Sequence, residues 1–162
     1  MILARPTAAF AFNHPAHFIA LGFGAGLSPV APGTAGTLVA IPIWWLVRGG
    51  YEPLVLLAII TGLFLVGVWA CGRTGRDLGV SDHGAMCWDE IVAFLLVLAI
   101  APEEPEWQAA AFFLFRAFDV VKPPPIRQFE MRFKGGFGVM ADDILAAGYT
   151  LLVLALFKRI FL

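Results

Sequence analysis

Apolar residues in this chain come in long runs, and the polar residues between them gather into a few short clusters. The runs fall at about Thr34–Val47, Pro53–Cys71, Asp89–Ala101, Trp107–Val121 and Asp143–Leu162. Gly, Pro and polar residues separate them, the usual helix stops. At 1.5 Å per residue the second run is roughly 28 Å long as a helix, enough to cross hydrocarbon about 30 Å thick. The third and fourth are short for full spans. They recruit flanking residues, thin the bilayer locally, or pack as buried helices behind the outer ones. A further segment, about Ala8 to Leu27, carries Asn13, His14, Pro15 and His17 where a signal peptide would be unbroken and apolar. It is expected to be retained and to lie at the membrane interface or partly inserted, with His14 and His17 as interfacial residues. The pattern predicts one all-α domain over 1–162, an integral membrane bundle of about four to five hydrophobic helices.

Composition agrees with that pattern. The chain is 60% hydrophobic and 14% charged, where an average soluble domain carries about 25% charged residues. A net charge of −1 excludes nucleic acid as a partner, since phosphate-backbone binding needs a basic surface. Cys71 and Cys87 stand in neither a zinc nor a redox spacing and are expected as free thiols. Cys71-Gly-Arg-Thr-Gly-Arg76 is one residue too short for a cysteine-phosphatase loop.

Charge also sets a direction. Gly72–Trp88 carries Arg73 and Arg76, and Lys122–Asp142 carries Lys122, Arg127, Arg132 and Lys134. The opposite loops are Arg48–Glu52 and Pro102–Glu106, the second with Glu103, Glu104 and Glu106. The positive-inside rule puts the first pair in the cytoplasm, with Lys158 and Arg159 as exceptions at the far side. All five Trp lie near predicted boundaries, as interfacial anchors do. This topology brings Ser28–Thr37, Gly72–Glu90 and Asp119–Asp143 to one cytoplasmic surface.

Ionisable side chains beside hydrocarbon cost roughly 2.5–3.5 kcal/mol each at a helix centre, so these clusters are where chemistry is expected. Asp89-Glu90 and Asp142-Asp143 each open an apolar helix in this reading. One account is ordinary helix-start acid, stabilised by the macrodipole. The other is metal, because two carboxylate pairs at one depth suit Mg²⁺, with one member of each pair facing the site. Arg116 and Asp119 share a helix face as a salt bridge, or Arg116 and Lys122 hold phosphate oxygens while Asp119 joins the metal shell. Pro123-Pro124-Pro125 stops the helix after Lys122. His83 is a solvated loop histidine, or it protonates a leaving alkoxide with Asp82 orienting it. Ser28-Pro-Val-Ala-Pro-Gly-Thr34 breaks an apolar stretch, and Thr34 is expected to cap the next helix, whose N-terminus is a ready anion site. Gly135-Gly-Phe-Gly138 reads as a turn that allows close backbone approach.

Four motifs together resemble the phosphatidylglycerophosphatase A family: Gly24-Ala-Gly-Leu-Ser-Pro-Val-Ala-Pro-Gly-Thr-Ala-Gly-Thr37, Asp82-His-Gly84 with Trp88-Asp-Glu90, Phe115-Arg-Ala-Phe-Asp-Val-Val-Lys-Pro123, and Gly135-Gly-Phe-Gly-Val-Met-Ala-Asp-Asp143. The resemblance runs from about Pro15 to Ala147. It implies an all-helical, Mg²⁺-dependent lipid phosphatase of the bacterial inner membrane. Such an enzyme converts phosphatidylglycerophosphate to phosphatidylglycerol and phosphate, a step of phospholipid biosynthesis toward cardiolipin. Matched onto this chain, the family's charged motif positions are Asp82, His83, Asp89, Glu90, Arg116, Asp119, Lys122, Asp142 and Asp143. Of these, Asp89, Glu90, Asp142 and Asp143 are expected on the metal, and Arg116 and Lys122, together with Ser28 and Thr34, on the substrate. Catalysis is expected to involve Asp82, His83, Asp89, Arg116, Asp119 and Lys122. Direct attack by water and a carboxylate acyl-phosphate both remain open. The rival readings are a CDP-alcohol phosphatidyltransferase, whose Asp-Gly…Ala-Arg pattern is missing, and a non-enzymatic ion or lipid carrier.

Overall fold

Proline opens most of the longer helices, and a left-handed residue closes two of them. The structure, a computed structural model, describes residues 5–161. In chain order the helices are α1 (Ala8–Asn13), α2 (Pro15–Ala20), α3 (Pro32–Val47), α4 (Pro53–Leu78), α5 (Trp88–Ile100), α6 (Pro105–Val121), α7 (Ile126–Arg132) and α8 (Gly135–Phe161). A 3₁₀ turn over Gly22–Leu27 joins α2 to α3. No strand occurs among the described residues. Leu162, the expected end of the last run, lies outside them.

At the first helical position of α2, α3, α4 and α6, proline's fixed φ is already helical and its missing N–H costs nothing. Gly79, with φ +75°, ends α4, and Lys122, with φ +47°, ends α6 just before Pro123. Helix α3 therefore starts at Pro32, two residues before the expected Thr34 cap. Its N-cap is Ala31, which makes no side-chain capping bond, and Thr34 sits inside the first turn. Helix α4 continues seven residues past Cys71, through Arg73, Arg76 and Asp77. The phosphatase-loop resemblance of Cys71–Arg76 thus falls within a helix, and both cysteines are buried free thiols.

The larger correction is at α8. It begins at Gly135, so Asp142 and Asp143 lie in its third turn and are not helix-start acids. Glycine is needed there for packing. A Cβ on Gly136 would sit 1.9 Å from the Val68 carbonyl oxygen of α4, so only glycine lets the two backbones come so close.

Helix α5 occupies the centre and packs against α3, α4, α6 and α8. From Trp88 to Leu98 every residue except Leu96 is buried, the all-round apolar signature of an interior helix. Of the options for the short third run, burial behind outer helices is the one adopted. The outer helices α4 and α8 are the two described elements long and apolar enough to cross a membrane. Their outward residues include Leu54, Leu65 and Trp69 on α4 and Leu152, Leu156 and Ile160 on α8, all exposed. Apolar surface of this extent suits a lipid surrounding.

The N-terminal segment forms α1, α2 and the 3₁₀ turn, and α2 packs on α4. His14 caps α2, its Nδ1 accepting from the Ala16 N–H at 3.0 Å. His17, expected at the interface, is instead 2% exposed. It pairs with Thr74 Oγ1 at 3.0 Å and, through Nε2, with Asp77 at 3.2 Å, while the Phe10 ring stacks on it. Burial holds its imidazole below the ordinary value despite the adjoining carboxylate of Asp77.

Candidate active site

Three carboxylates meet where the start of α5 faces the third turn of α8. Asp89, Glu90 and Asp143 each place an oxygen within 4.8 Å of the others, and all three side chains are buried. One oxygen of each, Asp89 Oδ1, Glu90 Oε2 and Asp143 Oδ2, has no hydrogen-bond partner. Buried carboxylates without a partner are stable only when they hold a proton or share a cation. The three oxygens are close enough to hold one metal ion together, and hard oxygen donors suit a divalent cation.

Asp142 is outside that cluster. Consecutive helical residues diverge by about 100°, so Asp142 leaves α8 in another direction from Asp143. Its Oδ2 accepts from Lys122 Nζ at 2.6 Å and its Oδ1 from the Asp143 N–H at 3.1 Å. Only one member of this pair faces the cluster, as expected, whereas both Asp89 and Glu90 face it. Lys122 also meets Glu130 of α7 at 3.1 Å. Burial lowers the lysine's affinity for its proton, but the hydrogen bonds from Asp142 and Glu130 outweigh that and hold it above its ordinary value.

On α6, Arg116 donates to Asp119 three residues on and reaches Glu90 Oε1 at 3.5 Å. Its Nε is buried without a partner. Arg116 thus ties the α6 face to the carboxylate cluster. Gly33 lies directly against the same pair. A Cβ there would come within 2.1 Å of Glu90 Oε1 and 3.1 Å of Arg116 Nη2. The first turn of α3 can seat beside the cluster only because residue 33 has no side chain.

The other expected residues surround this centre. Ser28 and His83 line a cavity of about 320 Å³ together with Arg5 and Pro32. Pro32 precedes Gly33, so the cavity adjoins the cluster across the start of α3. Ser28 Oγ donates to the Val30 carbonyl at 2.8 Å and keeps its acceptor capacity. The His83 Nδ1 accepts from the Ala85 N–H at 3.1 Å, which leaves the ring proton on Nε2. Asp82 does not orient His83, because no hydrogen bond joins them among the described residues. Asp82 is exposed and lines a smaller cleft with Glu130, Lys134 and Asp142.

The structure therefore brings together Asp89, Glu90, Arg116, Asp119, Lys122, Asp142 and Asp143. It sets Ser28, Thr34 and His83 beside them and Asp82 at the edge. Gly33 and Glu130 were missed. In Pro-Gly-Thr, Gly33 reads as a turn residue, and Glu130 lies in a charged segment with no periodicity to single it out.

Comparison with known proteins identifies the family. The family described as Phosphatidylglycerophosphatase A matches residues 18–158, which include every site residue above except Arg5. A protein of Escherichia coli named phosphatidylglycerophosphatase A is 43% identical over 135 residues, covering 83% of this chain and 78% of its own. One of the same name from Haemophilus influenzae is 41% identical over 150 residues, covering 92% of each chain. A provisionally named phosphatidylinositol-3-phosphatase of Bacteroides thetaiotaomicron is 40% identical over 145 residues, 85% of this chain and 89% of its own. No solved structure gives a significant match. With the family's match spanning the whole carboxylate centre and the helices that build it, this chain belongs to the phosphatidylglycerophosphatase A family of phosphatases.

Proposed function

We propose that the protein hydrolyses the phosphomonoester of phosphatidylglycerophosphate, giving phosphatidylglycerol and inorganic phosphate, with Mg²⁺ held by Asp89, Glu90 and Asp143. The observation that carries the proposal is the buried trio of carboxylates with one unpartnered oxygen apiece, with Arg116 reaching Glu90 among them. When bound, Mg²⁺ supplies a Lewis acid and counter-charge for the phosphoryl group. Arg116 and Lys122 neutralise phosphate oxygens, the first through its planar fork and the second as a point charge. Asp119 and Asp142 keep these cations in place. His83, with its proton on Nε2, serves as a hydrogen-bond donor to the headgroup. Donating that proton outright would call for a second proton on Nδ1 and would break the bond from Ala85. Ser28 lines the approach to the phosphate, and Thr34 follows Gly33 in the first turn of α3.

The site belongs, in this proposal, at the cytoplasmic face of the bacterial inner membrane. Arg73, Arg76, Lys122, Arg127, Arg132 and Lys134 flank the carboxylate end, while Glu103, Glu104 and Glu106 lie in the loop that follows the other end of α5. The substrate's phosphate would then reach the centre from the cavity beside Pro32, with its acyl chains left in the bilayer.

The test is phosphate release by purified protein from phosphatidylglycerophosphate and from phosphatidylinositol 3-phosphate, with and without Mg²⁺. Release from the first substrate, dependent on the ion, is expected. Equal turnover in excess chelator would refute the metal assignment, and preference for the inositol lipid would refute the substrate.

A further inference from the structure

At the end of the bundle away from the carboxylates, a second cavity has features that the phosphatase reading does not use. Trp44 lies eleven residues beyond Gly33 on α3, about 16 Å away at 1.5 Å per residue. Its side chain is 3% exposed, and its indole N–H is buried with no partner. A buried N–H left unpaired is costly, so a ligand acceptor that reaches it is held more tightly. Trp44 lines two adjoining spaces. One is a cavity of about 320 Å³ shared with Arg48, Tyr51, Leu98 and Glu103. The other is a narrow slot of about 70 Å³ between α3, α4 and α5, walled by Ile43, Ile59, Leu63 and Leu95 and almost wholly apolar.

The polar rim carries one charge of each sign. Arg48 stacks over the Trp45 ring at 3.9 Å and meets Glu103 at 3.6 Å. Both charges are partly exposed, so their mutual attraction is weak and readily exchanged for other partners. An apolar slot, a buried donor, a cation and an anion in sequence match one kind of molecule. We propose that this cavity binds a zwitterionic phospholipid bearing a primary amine, of the phosphatidylethanolamine type. Its phosphate takes the Trp44 N–H and Arg48, its ammonium takes Glu103, and the first methylenes of one acyl chain enter the slot. A net-negative glycerol headgroup brings only neutral hydroxyls to Glu103, and no cation. A quaternary amine reaches Glu103 without a hydrogen-bond donor. The site is independent of the phosphatase assignment and requires only that the protein meet lipid.

Native mass spectrometry of the full chain, released from micelles containing equal amounts of ethanolamine, choline and glycerol phospholipids with matched acyl chains, tests it. One ethanolamine lipid is expected to be retained over the other two by about tenfold, the scale of one charge-assisted hydrogen bond. Trp44→Phe, which keeps the ring and removes the N–H, is expected to lower that retention. Glu103→Gln is expected to erase the preference for ethanolamine over choline and to raise the glycerol lipid. Circular dichroism and monodispersity establish that each variant is folded. Equal retention of all three lipids, preference for the glycerol lipid, or a preference unchanged in both folded variants would overturn the proposal.

Discussion

Replacing Asp143 with Asn keeps the size of the side chain and removes one charge from the cluster. Two opposite effects are expected. Mg²⁺-dependent phosphate release is abolished, while the metal-free protein becomes more stable because one buried carboxylate no longer repels two others. For a chain of this length each kcal/mol gained raises the melting temperature by about 2–4 °C. Added Mg²⁺ should raise the melting temperature of the wild type and leave that of the variant unchanged, because only a bound ion shifts the folded population. A thermal scan of both proteins in chelator and in Mg²⁺ measures the stability changes, and a phosphate-release assay the activity. Gly33→Ala provides a second separation of activity from stability. The new methyl meets the end of the Glu90 side chain, which can swing away, so the fold survives with a cost of about 1–3 kcal/mol. The swing moves a carboxylate out of the cluster and releases Arg116, so turnover is expected to fall by at least about tenfold. A variant that keeps full activity would show that Glu90 need not stay where it is.

Among the elements, the contact between α4 and α8 is the most sensitive to a single atom. Gly136→Ala presses a methyl against a backbone carbonyl that no side-chain rotation can remove. It is expected to destabilise the bundle by more than Gly33→Ala does, because α8 also carries Asp142 and Asp143. Thermal denaturation of the two variants side by side checks the order. The same helix shows where reading the chain stopped short. Glycines at 135, 136 and 138 read as a turn because glycine weakens an isolated helix, and Gly135 does take a turn-like φ of +78°, yet Gly136 lets α8 approach Val68 and Gly138 clears the Phe133 carbonyl. The apolar runs themselves were legible, since periodicity and length need only the sequence. So was the meeting of Asp89, Glu90 and Asp143, because three acids in apolar surroundings have few places to go. Gly33 was not, as its value comes from a side chain 57 residues away. The buried position of His17 was hidden in the same way, its partners being Thr74 and Asp77 on another helix.

For the whole molecule, His17 links the N-terminal segment to α4 and makes stability depend on pH. Its folded-state pKa lies below that of the unfolded chain, so the unfolded state takes up the proton first as pH falls. The stabilisation is fully present above the ordinary imidazole range near pH 6.5 and is lost as pH drops toward the folded value. Wild type is therefore expected to lose more melting temperature between pH 7.5 and 5.5 than His17→Gln does, the carboxylate cluster being common to both. Parallel slopes in the two proteins would remove His17 from that role.

Asp142 and Asp143 leave one helical turn on divergent bearings, Asp142 toward Lys122 and Asp143 toward the ion it would share with Asp89 and Glu90 in the proposed enzyme. Turning α8 about its axis would pull Asp143 from its neighbours and Asp142 from Lys122 in the same motion. The helix is in effect pinned at two points around its circumference. An ion that serves the chemistry would thus also fix the rotation of α8.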